Sequence, residues 1–329
     1  MVKVRGYCAL LILLLIISCT LISCNFKSQK EDGLGFNAKD NIKLNNLLST
    51  FKLQDEERSA VEHIRSVVTD PGIVGHSIDR TYADSEFYNL LVSLGDSRLK
   101  KIIAVHLKNV KARDEALKVI ESVDRDESIR QLKDRLDVQK SFYLRELKQV
   151  FGSAIPNKVY LQAMNIDYVN SFDKIKNEAR GILKFENLYM RLSYDNKGVV
   201  EHIRRAVIDP SIGKKEGYKA YTDFEFELVL GSLDNLRLRE IIGVHFEMLG
   251  ELKQAQNVIN DIKGAVSKRD LQQELDVLNN TYLLHVKWIF NKFTPAKLYD
   301  EVIINRHKDD FIAIKNKALV IKAAEQGNP

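Results

Sequence analysis

Cysteine is nearly absent from this sequence: three in 329 residues, with none beyond Cys24. The long downstream part therefore holds no disulfide, no thiol nucleophile and no cysteine zinc site. Its histidines never stand as HxxxH or HExxH, which removes the helical zinc motifs as well. There is no glycine-rich phosphate loop and no G-x-S-x-G nucleophile turn. Asp124, Asp126 and Ser128 begin like a calcium loop, but Ile129 and Arg135 stand where its glycine and bidentate glutamate belong. No run of alternating apolar and polar residues argues for a strand. Catalytic residues, metal ligands and cofactor motifs are all missing, so the reading is non-enzymatic, with no cofactor and with ligand-binding residues unassigned.

Long apolar runs are also scarce. Ala9 to Ile17 is too short to span a bilayer, which takes about 20 residues. It follows Lys3 and Arg5, as the core of an export signal does. Leu21-Ile22-Ser23-Cys24 then resembles a bacterial lipobox, which implies a diacylglycerol on Cys24 and cleavage before it. Ile16-Ile17-Ser18-Cys19 is a poorer copy, so Cys19 is the less favoured lipidation site. Residues 1–23 are thus read as a lipoprotein signal peptide. Residues 24–40, polar and without periodicity, are read as the lipidated N-terminus and a flexible tether. Taking Lys3 and Arg5 from the 50 basic residues, against 45 acidic, lowers the formal net charge from +5 to +3. That excess argues for no nucleic-acid partner.

What the chain does have is a duplication. Val61-Glu62-His63-Ile64-Arg65 returns as Val200-Glu201-His202-Ile203-Arg204. Asp70-Pro71 returns as Asp209-Pro210, Tyr82 and Asp84 as Tyr221 and Asp223, His106 as His245, and Pro156 as Pro295. One shift of 139 positions aligns them all without a gap, and roughly a third of the aligned positions are identical. The expected body is two tandem repeat domains, 41–185 and 186–329, joined by a stiff helical junction near 168 to 190.

Each copy reads as all-α, a bundle of about five helices. Glu56 to Val68 carries an apolar stripe at Val61, Ile64 and Val68, and Asp70 before Pro71 ends it. Asp84 or Ser85 is expected to cap a short helix that Gly95 closes. Leu99, Ile102, Ile103, His106 and Val110 share one face, and Ile129 to Val150 marks a longer helix. Pro156 suits a first turn, and Phe172, Ile175, Ala179 and Leu183 continue the pattern. The recurring Tyr82, Asp84, Glu86 and Phe87 are read as a helix start, with acidic residues compensating its dipole.

The lipobox, the repeated VEHIR…DP element, the Y-x-D-x-E-F start and the IIxVH helix together resemble the repeat-domain surface lipoproteins of relapsing-fever Borrelia. That resemblance covers residue 45 to the end. It implies a helical, plasmid-encoded lipoprotein of the cell outer membrane, exposed at the surface, with no catalytic residues to carry over. The helical complement-binding lipoproteins of Lyme Borrelia share the anchor and helical body, but their binding residues find no match here.

His106 and His245 lie inside apolar stripes and are read as core histidines with hydrogen-bond partners. A metal site with His63 and His202 drawn near, or a pH sensor, are the alternatives. The loop GIVGHSIDRT at 72–81 differs from its counterpart SIGKKEGYKA at 211–220 everywhere but at Ile73 and Ile212, and Trp288 replaces Gln149, which points to a more apolar face or groove in the second copy. The function expected is binding of a host or vector protein; the alternative is a structural coat or immune-decoy antigen.

Overall fold

A computed structural model describes residues 46, 48–74, 80–292, 294–304 and 307–327. The leader, Cys19, Cys24 and the tether lie outside the described residues, as does the middle of the first variable loop. Residues 1–52 and Leu53–Pro329 cluster as two units, and the second holds all the helices named below.

Twelve helices run from Asp55 onward, and the described residues contain no strand. The first six are α1 (Asp55–Thr69), α2 (Asp84–Leu94), α3 (Asp96–Ile120), α4 (Asp126–Gly152), α5 (Pro156–Ala163) and α6 (Val169–Met190). The second six are α7 (Tyr194–Ile208), α8 (Asp223–Ser232), α9 (Asn235–Asn260), α10 (Ala265–Lys292), α11 (Pro295–Val302) and α12 (His307–Gly327). Their bounds repeat those of the first six, displaced by 139 within two residues. Each set therefore has six helices, not about five. The additional one comes from the break at 164–168, which separates the short α5 from α6.

Local chemistry explains the ends. Glu57 accepts the Gln54 amide at 2.8 Å to start α1, and Thr222 and Glu225 cap α8 reciprocally. The start of α2 departs from expectation. Ala83 is its N-cap, and Glu86 accepts the Ala83 amide at 3.0 Å. Asp84 is thereby free to bind the Arg65 guanidinium at 3.2 Å instead of capping. Gly95 closes α2 at φ +77°, a conformation that disfavours side chains.

Two buried lysines hold the ends of α1 and α7. Lys148 donates to the Asp70 carbonyl, and Lys287 donates to the Asp209 carbonyl. Both side chains are buried, so each cation meets the negative end of a helix in a dry setting. Tyr82 and Tyr221 likewise donate to the carbonyls of Phe151 and Phe290.

Helix α6 serves both sets. Phe172, Ile175, Ala179 and Ile182 are buried along it, while Phe185 and Leu188 join the core built from α7 to α12. It packs on α3, α4 and α8. Its crossing with α8 is close enough that a Cβ on Gly181 would sit 2.9 Å from the Gly231 carbonyl oxygen. Position 185 therefore falls inside a continuous helix. Beside the crossing, Glu227 of α8 is buried and accepts from Ser128 Oγ at 2.8 Å and pairs with Arg125. Burial pushes its carboxyl above the usual carboxylate range.

Candidate functional site

Each set of helices carries a histidine–tyrosine cluster at its centre. The stripe of α3 carries His106 inward, and α4 supplies Tyr143. His106 Nε2 lies 2.9 Å from His63 Nδ1, and its Nδ1 bonds the Tyr143 hydroxyl. His63 comes from α1, so three helices meet at one polar chain. A neutral chain has two consistent protonations: the Tyr143 hydroxyl donates to His106 Nδ1 and His106 Nε2–H to His63 Nδ1, or His63 Nδ1–H donates to His106 Nε2 and His106 Nδ1–H to the Tyr143 oxygen. Burial depresses His106 to about 3, with His63 and Arg113 adding positive charge. The same burial lowers His63 and raises Tyr143.

The second set keeps the centre and changes its surroundings. His245 Nδ1 lies 2.6 Å from the Tyr282 hydroxyl. His202 stacks on the Tyr282 ring at 5.8 Å, and His307 meets that ring edge-on at 5.8 Å. Burial depresses His245 to about 3, and His202 and His285 push it the same way. His202 Nε2 is buried without a hydrogen-bond partner. Both histidines singled out in the sequence are thus bonded core residues, and His63 does approach His106. Among the described residues, no group of three His, Cys, Asp or Glu side chains is placed to hold a metal.

Outside the first cluster lies a groove bounded by α4 and α5. It is open, about 550 Å³ in volume. Phe142, Arg145, Glu146 and Gln149 of α4 form one wall. Gln162 of α5, with Asn165 and Tyr168 after it, forms the other, and Val74 stands at the rim. Tyr168 is pushed up to about 12 by burial and by its hydrogen bond to Glu146. In the second set a small void of about 20 Å³ lies among His245, Tyr282, His285, Val302, Ile304 and His307. There Glu146 and Tyr168 are replaced by His285 and His307, whose Nδ1 and Nε2 lie 3.0 Å apart. Trp288 replaces Gln149 and stacks on His285 at 5.4 Å. Ile304 replaces Asn165 and lines the small void.

The sequence singled out Tyr143 only as part of a helix face and passed over Tyr282, Lys148 and Lys287. The signal that would have found them is recurrence at the same 139-residue shift as the histidines. The second variable loop, 211–220, turns at Gly213 and Gly217, both at positive φ. Asn291 fixes it by bonding the Lys219 amide and carbonyl.

No protein-family model and no curated protein matches this chain. A solved crystal structure, of "a putative surface protein encoded by BTA121", matches 89% of this chain and 97% of its own, at 22% identity and a TM-score of 0.34. A likeness that distant carries no argument about fold or function.

Proposed function

We propose that this chain is a lipid-anchored surface protein, acylated at Cys24, whose helical body binds a host or vector protein through the open groove of its first repeat domain. The observation that carries this reading is the open groove of about 550 Å³ beside α4 and α5. The groove joins an exposed aromatic, Phe142, to a guanidinium, Arg145, and to three amides, Gln149, Gln162 and Asn165. Aromatic and arginine side chains dominate the energetic centres of interfaces, and amides recognise the backbone of a bound segment from both sides. The lipid supplies attachment, since an anchor with several acyl chains holds firmly where one holds weakly.

The test compares the mature protein with an Arg145→Ala, Gln149→Ala variant as bait for serum or vector extracts. Retention of a specific protein by the parent, and its loss with the variant at unchanged helical content, is the expected result. A parent that retains nothing would favour the coat or decoy role, and equal retention by both proteins would move the contact away from this groove.

A further inference from the structure

The last turns of α6 and the first turns of α9 frame an open pocket of about 340 Å³. Lys184, Asn187, Leu188 and Arg191 recur every three or four residues and so share one side of α6 and its C-cap. Asn235 and Arg239, four apart, do the same on α9. Three cations from two helices thus converge on one pocket, and no carboxylate lines it. From this arrangement we infer that the pocket is a binding site for a tetrahedral oxyanion, a phosphate or sulfate group, held by Arg191 and Arg239 together with Lys184.

The chemistry of the lining suits that ligand. A guanidinium presents a planar fork of N–H donors that matches two oxygens of a phosphate or sulfate. Lys184 gives one of its three donors to the Leu233 carbonyl, which leaves two. The amides of Asn187 and Asn235 can donate as well. Cations at a protein surface commonly serve neighbouring carboxylates or helix ends, and here other residues take those roles. At the end of α6, Lys197 Nζ lies 3.3 Å from the Met190 carbonyl. At the start of α9, Asp234 accepts the Arg237 amide at 2.8 Å and lies 3.5 Å from Arg237 Nε, outside the lining. Glu240, beside Arg239 in sequence, accepts from the Tyr299 hydroxyl. Among the described residues, neither the Arg191 nor the Arg239 guanidinium has an ion pair or a hydrogen bond.

The first copy shows the same positions with their charge internally balanced. Asp96 and Lys100, 139 residues before Asn235 and Arg239, pair at 3.1 Å. In the second copy the aspartate has become an amide of nearly the same shape, and the lysine an arginine. The first exchange removes the counter-ion one helical turn away, and the second installs the fork. The pocket shares no residue with the groove beside α4 and α5, so this inference does not depend on a partner there.

The mature full chain is titrated calorimetrically with inorganic phosphate, inorganic sulfate and glycerol phosphate, with sodium chloride holding the ionic strength constant. The expected result is saturable binding at one site of the parent. The double variant Arg191→Gln, Arg239→Gln should weaken it by about tenfold or more. Asn235→Asp, which restores the counter-ion of the first copy, should weaken it as well. All three side chains are exposed, so helical content and the melting midpoint without added anion should stay at the parent values. Tighter binding of glycerol phosphate than of inorganic phosphate would support the site as a seat for the esterified end of a larger ligand, and the reverse order would support it as a seat for the free anion. Heats that never saturate with any of the three probes would overturn the site. So would equal affinity in the parent and both folded variants.

Discussion

Lys148 and Lys287 show what a single side chain does in this interior. Each ammonium is held by a helix-end carbonyl, and burial lowers Lys287. Replacing Lys287 by methionine keeps the stem packed but leaves that carbonyl unbonded, and should cost about 1–3 kcal/mol in urea unfolding. Tyr143→Phe removes the hydroxyl that satisfies His106 and should cost a similar ~1–3 kcal/mol, whereas Phe142→Ala, at an exposed position, should cost far less. The histidines give a pH dependence of definite sign. His106 and His245 are each depressed to about 3, so the folded state binds fewer protons than the unfolded chain. Stability is complete above the unfolded value near 6.5 and falls with pH through the interval down to about 3, by about 1.4 kcal/mol per pH unit for each such histidine. Thermal melts at neutral and mildly acidic pH check this, and an unchanged midpoint would contradict it. The sequence placed both histidines in apolar stripes and asked for partners. It could not name them, because Tyr143 and Tyr282 lie 37 residues away on another helix, brought close only by packing.

At the scale of elements, helix α6 and its crossing with α8 decide how the two sets join. Gly181 and Gly231 let the backbones approach, and their counterparts at the two free faces are Val320 and Val92, 70% and 58% exposed. Gly181→Ala or Gly231→Ala forces a backbone shift and should destabilise by about 1–3 kcal/mol. Gly243→Ala, with nothing within 4 Å of the added carbon, should instead stabilise by roughly 0.5–1 kcal/mol. Most helices were legible from periodicity and punctuation: the stripe from Glu56 to Val68 lies within Asp55–Thr69, and Pro156 does open α5. Three features were not legible. The break between α5 and α6 carries no proline or glycine, Ala83 lacks a capping side chain, and Glu227 stands where the first copy has Tyr88. Each is set by a tertiary contact: Asn109 with the Tyr168 amide, Asp84 with Arg65, and Ser128 and Arg125 with Glu227.

For the whole molecule, duplication has left a histidine–tyrosine centre in each set, with different residues around it. That difference was half legible, because Trp288 for Gln149 stands in the sequence, while the His285–His307 contact needed two helices brought together. The central claim is that this body faces outward from a membrane, where the groove beside α4 and α5 can meet a foreign protein. The direct measurement is protease treatment of intact cells, followed by detection of the full-length chain. The expected result is its loss while a periplasmic control survives. Survival of the chain until the outer membrane is opened would contradict the claim.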